Sequence, residues 1–275
     1  MSERISASAA GRVLIVAGSD SGGGAGIQAD IKAVTALGGF ATTAITALTA
    51  QNTLAVTAIE PVSPAFVRAQ MEAVLDDIGT DAVKTGMLFD AEVVATVAAV
   101  LRERESRAPL VVDPVMVAES GARLIDPTAV ACLCERLIPL ATVITPNVPE
   151  AEVLVGYPIP DHAAALAAAR ELAERFAVAV LVKGGHLPGE EVVDTLAQPN
   201  GEVSLFRQGR IESRSTHGTG CTLASAIATG LAQGMGLVPA VDRARRYLRR
   251  AIETARPLGA GHGPVNHGHT VAAFD

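Results

Sequence analysis

Five short apolar runs, each followed by a polar residue, limit what this chain can fold into more than any other feature. They are Val13-Leu14-Ile15-Val16-Ala17 with Asp20 beyond it, Ala82-Val83 before Lys84, Leu110-Val111-Val112 before Asp113, Val143-Ile144-Thr145 before Asn147, and Ala179-Val180-Leu181-Val182 before Lys183. Short continuous apolar runs of this kind read as strands buried on both faces. Between them lie helical stretches, from about Ile27 to Leu37, Ser63-Pro64 to about Ile78, Ala91 to Arg104, Pro127 to Leu137 and Ala163 to Phe176. Two further helices are expected after Gly220 and from Val238 to Ala255. Strands alternating with helices at this spacing predict a three-layer α/β fold with a mainly parallel central sheet. In such sheets ligands bind beyond the carboxyl ends of the strands, which is where the polar residues recur.

Ala41 to Ala50 and Ala55 to Glu60 alternate Thr with Ala, Ile or Val and read as half-exposed strands, with at most a small flap over the sheet edge. Asp194 to Leu196 and Val203 to Arg207 read as a hairpin. No linker, repeat or low-complexity block divides the chain, so a flexible segment over residues 1–12 and a single domain over 13–275 are expected. Composition sets the kind of core. Hydrophobic residues make up 49% and aromatics only 3%, with no Trp, so small aliphatic side chains must let helices approach the sheet closely.

A formal charge of −7 gives no basic footprint, and neither nucleic acid nor a membrane is expected as a partner. Met1 to Arg12 has no apolar run of signal-peptide length, and no later run of about twenty residues is uninterrupted by polar ones. The three cysteines, Cys132, Cys134 and Cys221, are odd in number and lack zinc spacing, which suits a reducing compartment. A cytoplasmic setting is therefore expected.

Two glycine-rich turns stand before helices. Thr216-His217-Gly218-Thr219-Gly220-Cys221 leads into a small-residue helix, and Gly18-Ser19-Asp20-Ser21-Gly22-Gly23-Gly24-Ala25-Gly26 leads into the first one. Glycines let successive N–H groups converge, and the open amides of a first helical turn add a partial positive charge, so a phosphate can be held there without arginine. Lys84, Lys183 or a metal could meet the same phosphate. Gly24-Ala25-Gly26-Ile27-Gln28-Ala29 formally satisfies a relaxed dinucleotide pattern, but its glycines arrive late and no acidic residue follows for a ribose. No G-x-x-x-x-G-K-[ST] pattern occurs.

Phosphates cradled at two helix starts, with acids at strand ends, suit phosphoryl transfer with magnesium. Asp113, Asn147 and Glu150 are the candidates for the metal or its water shell. The plainer alternative for Asn147 and Glu150 is a helix start with Glu150 in its first turn, and Asp113 before Pro114 could cap a turn. A thiol at a helix N-terminus has its thiolate stabilised, which makes Cys221 a candidate proton acceptor or nucleophile. A small buried hydrophobe is the competing reading. His262, His267 and His269 lack an acidic or Cys partner and do not read as a metal site. His186 and His217 could touch phosphate or brace the loops that do.

Seven ordered blocks, from Ala17-Gly18-Ser19-Asp20 through Asp30, Thr46 to Thr53, Lys84 to Leu88, Asp113 to Met116, Thr145 to Glu152, Lys183 to His186, and His217 to Thr222, carry a resemblance over nearly the whole chain. The sequence resembles the hydroxymethylpyrimidine/phosphomethylpyrimidine kinases of thiamine biosynthesis, which have the ribokinase-like fold with a small or absent lid. The resemblance implies ATP-dependent phosphorylation of a hydroxymethyl group on a pyrimidine and then of the monophosphate. It implies that Gln51 hydrogen-bonds the pyrimidine and that Gly18, Asp30 and Met87 line its pocket. Gly218, Gly220 and Cys221 would form the anion hole, Lys183, Thr216 and Thr219 would lie near the nucleotide phosphates, and Asn147 with Glu150 would serve Mg2+. Related sugar kinases usually carry Asp where this chain has Cys221, which leaves the base open. A pyridoxal/pyridoxine kinase and a non-catalytic pyrimidine-binding regulator remain alternatives, and a homodimer is the expected assembly, although no residue fixes it.

Overall fold

The computed structural model describes residues 11–116 and 127–272. The expected flexible segment falls outside them up to Ala10, but Arg12 already belongs to the first strand, β1 (Arg12–Asp20). Its side chain explains the shift. The Arg12 guanidinium bonds both oxygens of Asp81, at 2.9 and 2.7 Å, and ties the start of β1 to the turn before a neighbouring strand.

The chain continues as α1 (Gly26–Ala36), β2 (Phe40–Gln51), β3 (Val56–Pro61), α2 (Pro64–Asp77), β4 (Ala82–Thr85), α3 (Ala91–Glu103) and β5 (Leu110–Val112). Then come α4 (Pro127–Cys132), β6 (Val143–Ile144), α5 (Val148–Val155), α6 (His162–Phe176), β7 (Ala179–Val182), β8 (Glu191–Ala197), β9 (Val203–Gly209), α7 (Thr219–Ala232) and α8 (Leu237–Glu253). One nine-stranded sheet runs β3-β2-β1-β4-β5-β6-β7-β8-β9. The six central strands, β2-β1-β4-β5-β6-β7, run parallel to one another, while β3 pairs antiparallel with β2 at one edge and β8 and β9 pair antiparallel at the other.

Alternation along the strands makes the three layers. Leu14, Val16, Val83, Val112, Ile144 and Val180 face one side and meet α2, α3 and α6, while Val13, Ile15, Val111 and Leu181 face the other and meet α1, α7 and α8. Burying each such aliphatic side chain contributes roughly 1.5–3 kcal/mol. Small residues set the spacing: a Cβ at Gly230 on α7 would stand 2.8 Å from the Ala240 Cβ on α8.

Two expectations change in detail. The helix expected over Pro127 to Leu137 is α-helical only to Cys132, and Leu133–Leu137 form a wider turn closed by the Ile138 N–H on the Leu133 carbonyl. Pro139 follows, and its missing N–H and its ring end the α ladder there. The half-exposed strands, read with at most a small flap, are realised without one as the edge of the main sheet. Strand β2 pairs with β1 from Arg12 opposite Phe40 to Asp20 opposite Thr49, and β3 adds the outer strand. The turn between them is tied down, with Thr53 accepting the His262 N–H at its carbonyl (3.1 Å) and the Gly261 N–H at its hydroxyl (3.2 Å).

Candidate active site

Asp20 organises the first glycine turn. Its Oδ1 accepts the Gly22 N–H at 2.8 Å, and its Oδ2 accepts those of Gly24 and Ala25 at 3.0 and 2.8 Å. His217 Nε2 lies 2.9 Å from the same Oδ2. Burial opposes ionisation of Asp20, but the bonds from His217, Ala25 and Gly22 outweigh it and hold the carboxyl below its ordinary range.

His217 belongs to the second glycine turn, so Asp20 joins the two. They also touch through backbone: Gly218, the N-cap of α7, has φ +82°, and a Cβ there would fall 1.9 Å from the Gly24 carbonyl oxygen. Only glycine satisfies both demands. The Thr219 N–H returns to the Thr216 carbonyl at 3.1 Å, and the first helical bond runs from the Thr222 N–H to the Gly218 carbonyl at 2.9 Å. The Gly220 and Cys221 amides thus lie in the unpaired first turn of a 14-residue helix, where the dipole favours an anion. The tail braces this turn: the His217 N–H bonds the Gly263 carbonyl at 3.0 Å, and His267 Nε2 lies 2.9 Å from Thr222 Oγ1.

A cleft of about 650 Å³ opens over the carboxyl ends of the parallel strands. At one end stand Gly18, Gln51 and Met87, expected to read the pyrimidine; a Cβ at Gly18 would fall 2.4 Å from Met87 Cε, so the backbone itself forms that wall. Thr216, Gly218, Thr219, Gly220 and Cys221 line it as well. Asp113, Asn147, Glu150 and Lys183 face the same space. The expected site residues thus share one cleft, with one exception.

Asp30 is the exception and a correction. It is fully buried beneath the floor, where both its oxygens accept from Lys84 Nζ at 2.9 Å and Ser225 Oγ donates at 2.6 Å. It braces the site and does not line it. Lys84, expected as a possible phosphate ligand, lines the cleft but is paired with Asp30; burial opposes its charge, but Asp30, Cys221 and Asp113 raise its pKa.

Cys221 also departs from expectation. Burial pushes its thiol up to about 12, with Asp30 and Asp113 adding to the effect and Lys84 opposing it, so the helix dipole does not leave a thiolate at neutral pH.

Lys183 Nζ bonds Asp113 Oδ1 at 2.9 Å and lies 4.0 Å from Glu150 Oε2, while Thr145 Oγ1 donates to the same Asp113 oxygen at 2.8 Å. Burial opposes Asp113's charge, but Lys183 and Lys84 hold its carboxyl low. Glu150 moves the other way, to about 7, through burial and the neighbouring Asp113 carboxylate, against Lys183. The plainer reading of Asn147 and Glu150 is realised as well. They form a capping box at the start of α5, Asn147 Oδ1 accepting the Glu150 N–H at 2.9 Å and Glu150 Oε2 accepting the Asn147 N–H at 2.8 Å. Among the described residues no three His, Cys, Asp or Glu side chains converge as a metal cage. In the tail, Tyr247 donates to the His267 carbonyl at 3.1 Å, and its ring lies tilted at 38° against that of His269 with centroids 4.8 Å apart.

Sequence reasoning missed the far wall, built by Val192, Gln208 and Ile211 of the β8–β9 region and by Leu248 and Ile252 of α8. Arg210 fixes its rim by donating to the Gly185 and Gly189 carbonyls at 2.9 and 2.8 Å. No local motif marks these residues; only the hairpin's position at the sheet edge brings them to the cleft.

The sequence pattern of the family described as phosphomethylpyrimidine kinase matches residues 20–266. The chain is 57% identical over 257 residues to the thiamine biosynthesis bifunctional protein ThiED of Geobacter sulfurreducens, covering 94% of this chain and 52% of that protein, so it spans about half of that relative's length. It is 52% identical over 259 residues to the hydroxymethylpyrimidine/phosphomethylpyrimidine kinase of Rhizobium meliloti, covering 93% of this chain and 96% of the relative. The fold superposes on the ADP complex of Bacillus subtilis pyridoxal kinase with a TM-score of 0.86 at 33% identity, covering 94% of this chain and 97% of the other.

Proposed function

The chain belongs to the phosphomethylpyrimidine kinase family, and from that membership and its cleft we infer an ATP-dependent kinase of the ribokinase-like fold that phosphorylates 4-amino-5-hydroxymethyl-2-methylpyrimidine and then its monophosphate. One observation carries the reading: the open first-turn amides of α7 and the Gln51 amide face the same cleft. An aminopyrimidine edge offers a donor beside an acceptor, and a side-chain amide answers both.

In this reading the substrate hydroxyl attacks the γ-phosphorus while the bond from that phosphorus to the β-bridging oxygen breaks and ADP leaves, the hydroxyl proton passing to an oxygen of the transferred phosphoryl group. A loose transition state needs positioning and charge neutralisation more than a strong base. The Gly220 and Cys221 amides, with Gly218 shaping the turn, would hold the migrating phosphoryl oxygens. Lys183, Thr216 and Thr219 would lie along the nucleotide phosphates, and Cys221, a thiol in the resting site, would contact the hydroxyl as a neutral group.

Magnesium is part of the proposal. Asp113 and Glu150 fit it: both are buried carboxyls lining the cleft, and burial, with the Asp113 charge adding to it, raises Glu150 to about 7, a shift that a cation beside the pair would oppose. Asn147, whose oxygen already caps α5, would reach it through water. When bound, the ion would neutralise phosphate charge. We further infer one kinase domain, supported by the single sheet, a cytoplasmic setting, supported by free Cys132, Cys134 and Cys221, and a homodimer, supported by exposed Leu48, Leu54 and Phe66 near the β3 edge. Sedimentation equilibrium giving a monomer would remove the last of these.

The deciding experiment is ATP turnover with the hydroxymethylpyrimidine, comparing wild type with Gln51→Ala and Cys221→Ala. The first should raise KM most and the second should lower kcat most. A strong preference for pyridoxal would favour the second reading, which the fold's likeness to a pyridoxal kinase supports. Pyrimidine binding without ATP binding in calorimetry would favour a non-catalytic regulator.

A further inference from the structure

Gln51 can read a heteroaromatic edge in only one sense if its amide is held, and the hydrogen-bond accounting around it identifies what holds it. Thr49 Oγ1 lies 2.9 Å from the Ser19 carbonyl oxygen and 3.1 Å from one end of the Gln51 amide. A carbonyl only accepts, so the single hydroxyl proton belongs to Ser19 and the hydroxyl's lone pairs face Gln51. The other end of the amide lies 3.4 Å from His217 Nε2. That nitrogen is 2.9 Å from Asp20 Oδ2, and a carboxylate offers only lone pairs, so Nε2 carries a proton whether the imidazole is neutral or charged.

With oxygen toward Thr49 and nitrogen toward His217, acceptor would face acceptor and donor would face donor. Half a turn about the terminal bond resolves both contacts: the amide nitrogen donates to Thr49, and its oxygen becomes a long second acceptor for the His217 N–H. The two atoms of a side-chain amide are assigned by such partners. Asp20 is itself immobilised by three backbone N–H groups, so the direction of the His217 N–H is fixed from the first glycine turn.

We propose that Asp20 and His217 are positioning residues that lock the Gln51 amide with its oxygen toward His217 and its nitrogen toward Thr49, and thereby make the site selective for an aminopyrimidine edge. One lone pair and one N–H of Gln51 remain for the ligand, in fixed order. An exocyclic amine beside a ring nitrogen matches that order in one sense only. A hydroxypyridine such as pyridoxine has an O–H that donates or accepts, and it tolerates either orientation. This inference rests on the pyrimidine reading of the same site.

The test compares the KM for hydroxymethylpyrimidine with the inhibition constant of pyridoxine as its competitor, in wild type, His217→Leu, His217→Gln and Asp20→Asn. His217→Leu should raise the pyrimidine KM about tenfold, the worth of one buried hydrogen bond, and change the pyridoxine constant less than about twofold. His217→Gln keeps an N–H and should restore KM to within about threefold of wild type. Asp20→Asn sets an NH2 either against the Gly22 N–H or against those of Gly24, Ala25 and His217, loosens the hold on the imidazole, and should act in the direction of His217→Leu. Equal changes in both constants, or no rescue by Gln, would overturn the relay. If wild type shows no pyrimidine turnover, the activity itself falls, and 15N-resolved imidazole spectra of the unliganded protein judge the relay alone: a protonated His217 Nε2 supports it and a bare one overturns it.

Discussion

Cys221 stands at the head of a helix, a place that ordinarily lowers a thiol's pKa, yet burial and the Asp30 and Asp113 carboxylates carry it up to about 12 against the pull of Lys84. At pH 8 roughly one thiol in ten thousand would be ionised, against about one in four for an unperturbed cysteine. Iodoacetamide at that pH should therefore leave Cys221 largely unmodified after a time that fully alkylates a free model thiol, as read by peptide mass spectrometry; labelling at the model rate would show a thiolate. The sequence located this residue and left its state open between an activated thiol and a small buried group, because a motif records that a thiol begins a helix and not which charges surround it. Asp30 is the same lesson. Its place in a shared block predicts a lining residue, whereas its partners Lys84 and Ser225 lie 54 and 195 positions away and only the folded layers bring them together.

Asp30 and these two partners belong to three elements, α1, β4 and α7, so the cluster fastens a central strand to two helices of one layer. Removing one member of a buried pair leaves an uncompensated charge and costs about 3–5 kcal/mol. Lys84→Met should show that loss in urea unfolding, and adding Asp30→Asn should recover a large part of it; equal stability of the single variant and wild type would mean that the pair is dispensable. At this scale the sequence was most readable. The strands of the parallel core announced themselves by unbroken apolar runs, and α6 and α8 by their spacing. The turn at Leu133–Leu137 was hidden because Pro139 acts from beyond the expected helix end, and the wall from β8, β9 and α8 because strand order at a sheet edge is not written in any local pattern.

Across the whole molecule, the tail is a strap over the anion turn, and His267 is its buried fastening. Burial first, then the charges of Lys32 and His269, push its imidazole down to about 4. An unfolded histidine takes its proton near 6.5 and the folded one only near 4, so the unfolded chain binds more protons as pH falls through that window, and stability drops by up to about 3 kcal/mol. The melting temperature should accordingly fall between about pH 6.5 and pH 4, and His267→Gln should flatten that slope; an unchanged slope would place the acid sensitivity elsewhere. The strap has a consequence for synthesis. The turn at the head of α7 is held by Asp20 and Gly24 from early in the chain, by Gly218 to Cys221 far downstream, and by Gly263 and His267 beyond them. A nascent chain therefore carries the Gln51 side of its cleft long before the head of α7 is braced, and that turn is complete only once residues through His267 have left the ribosome.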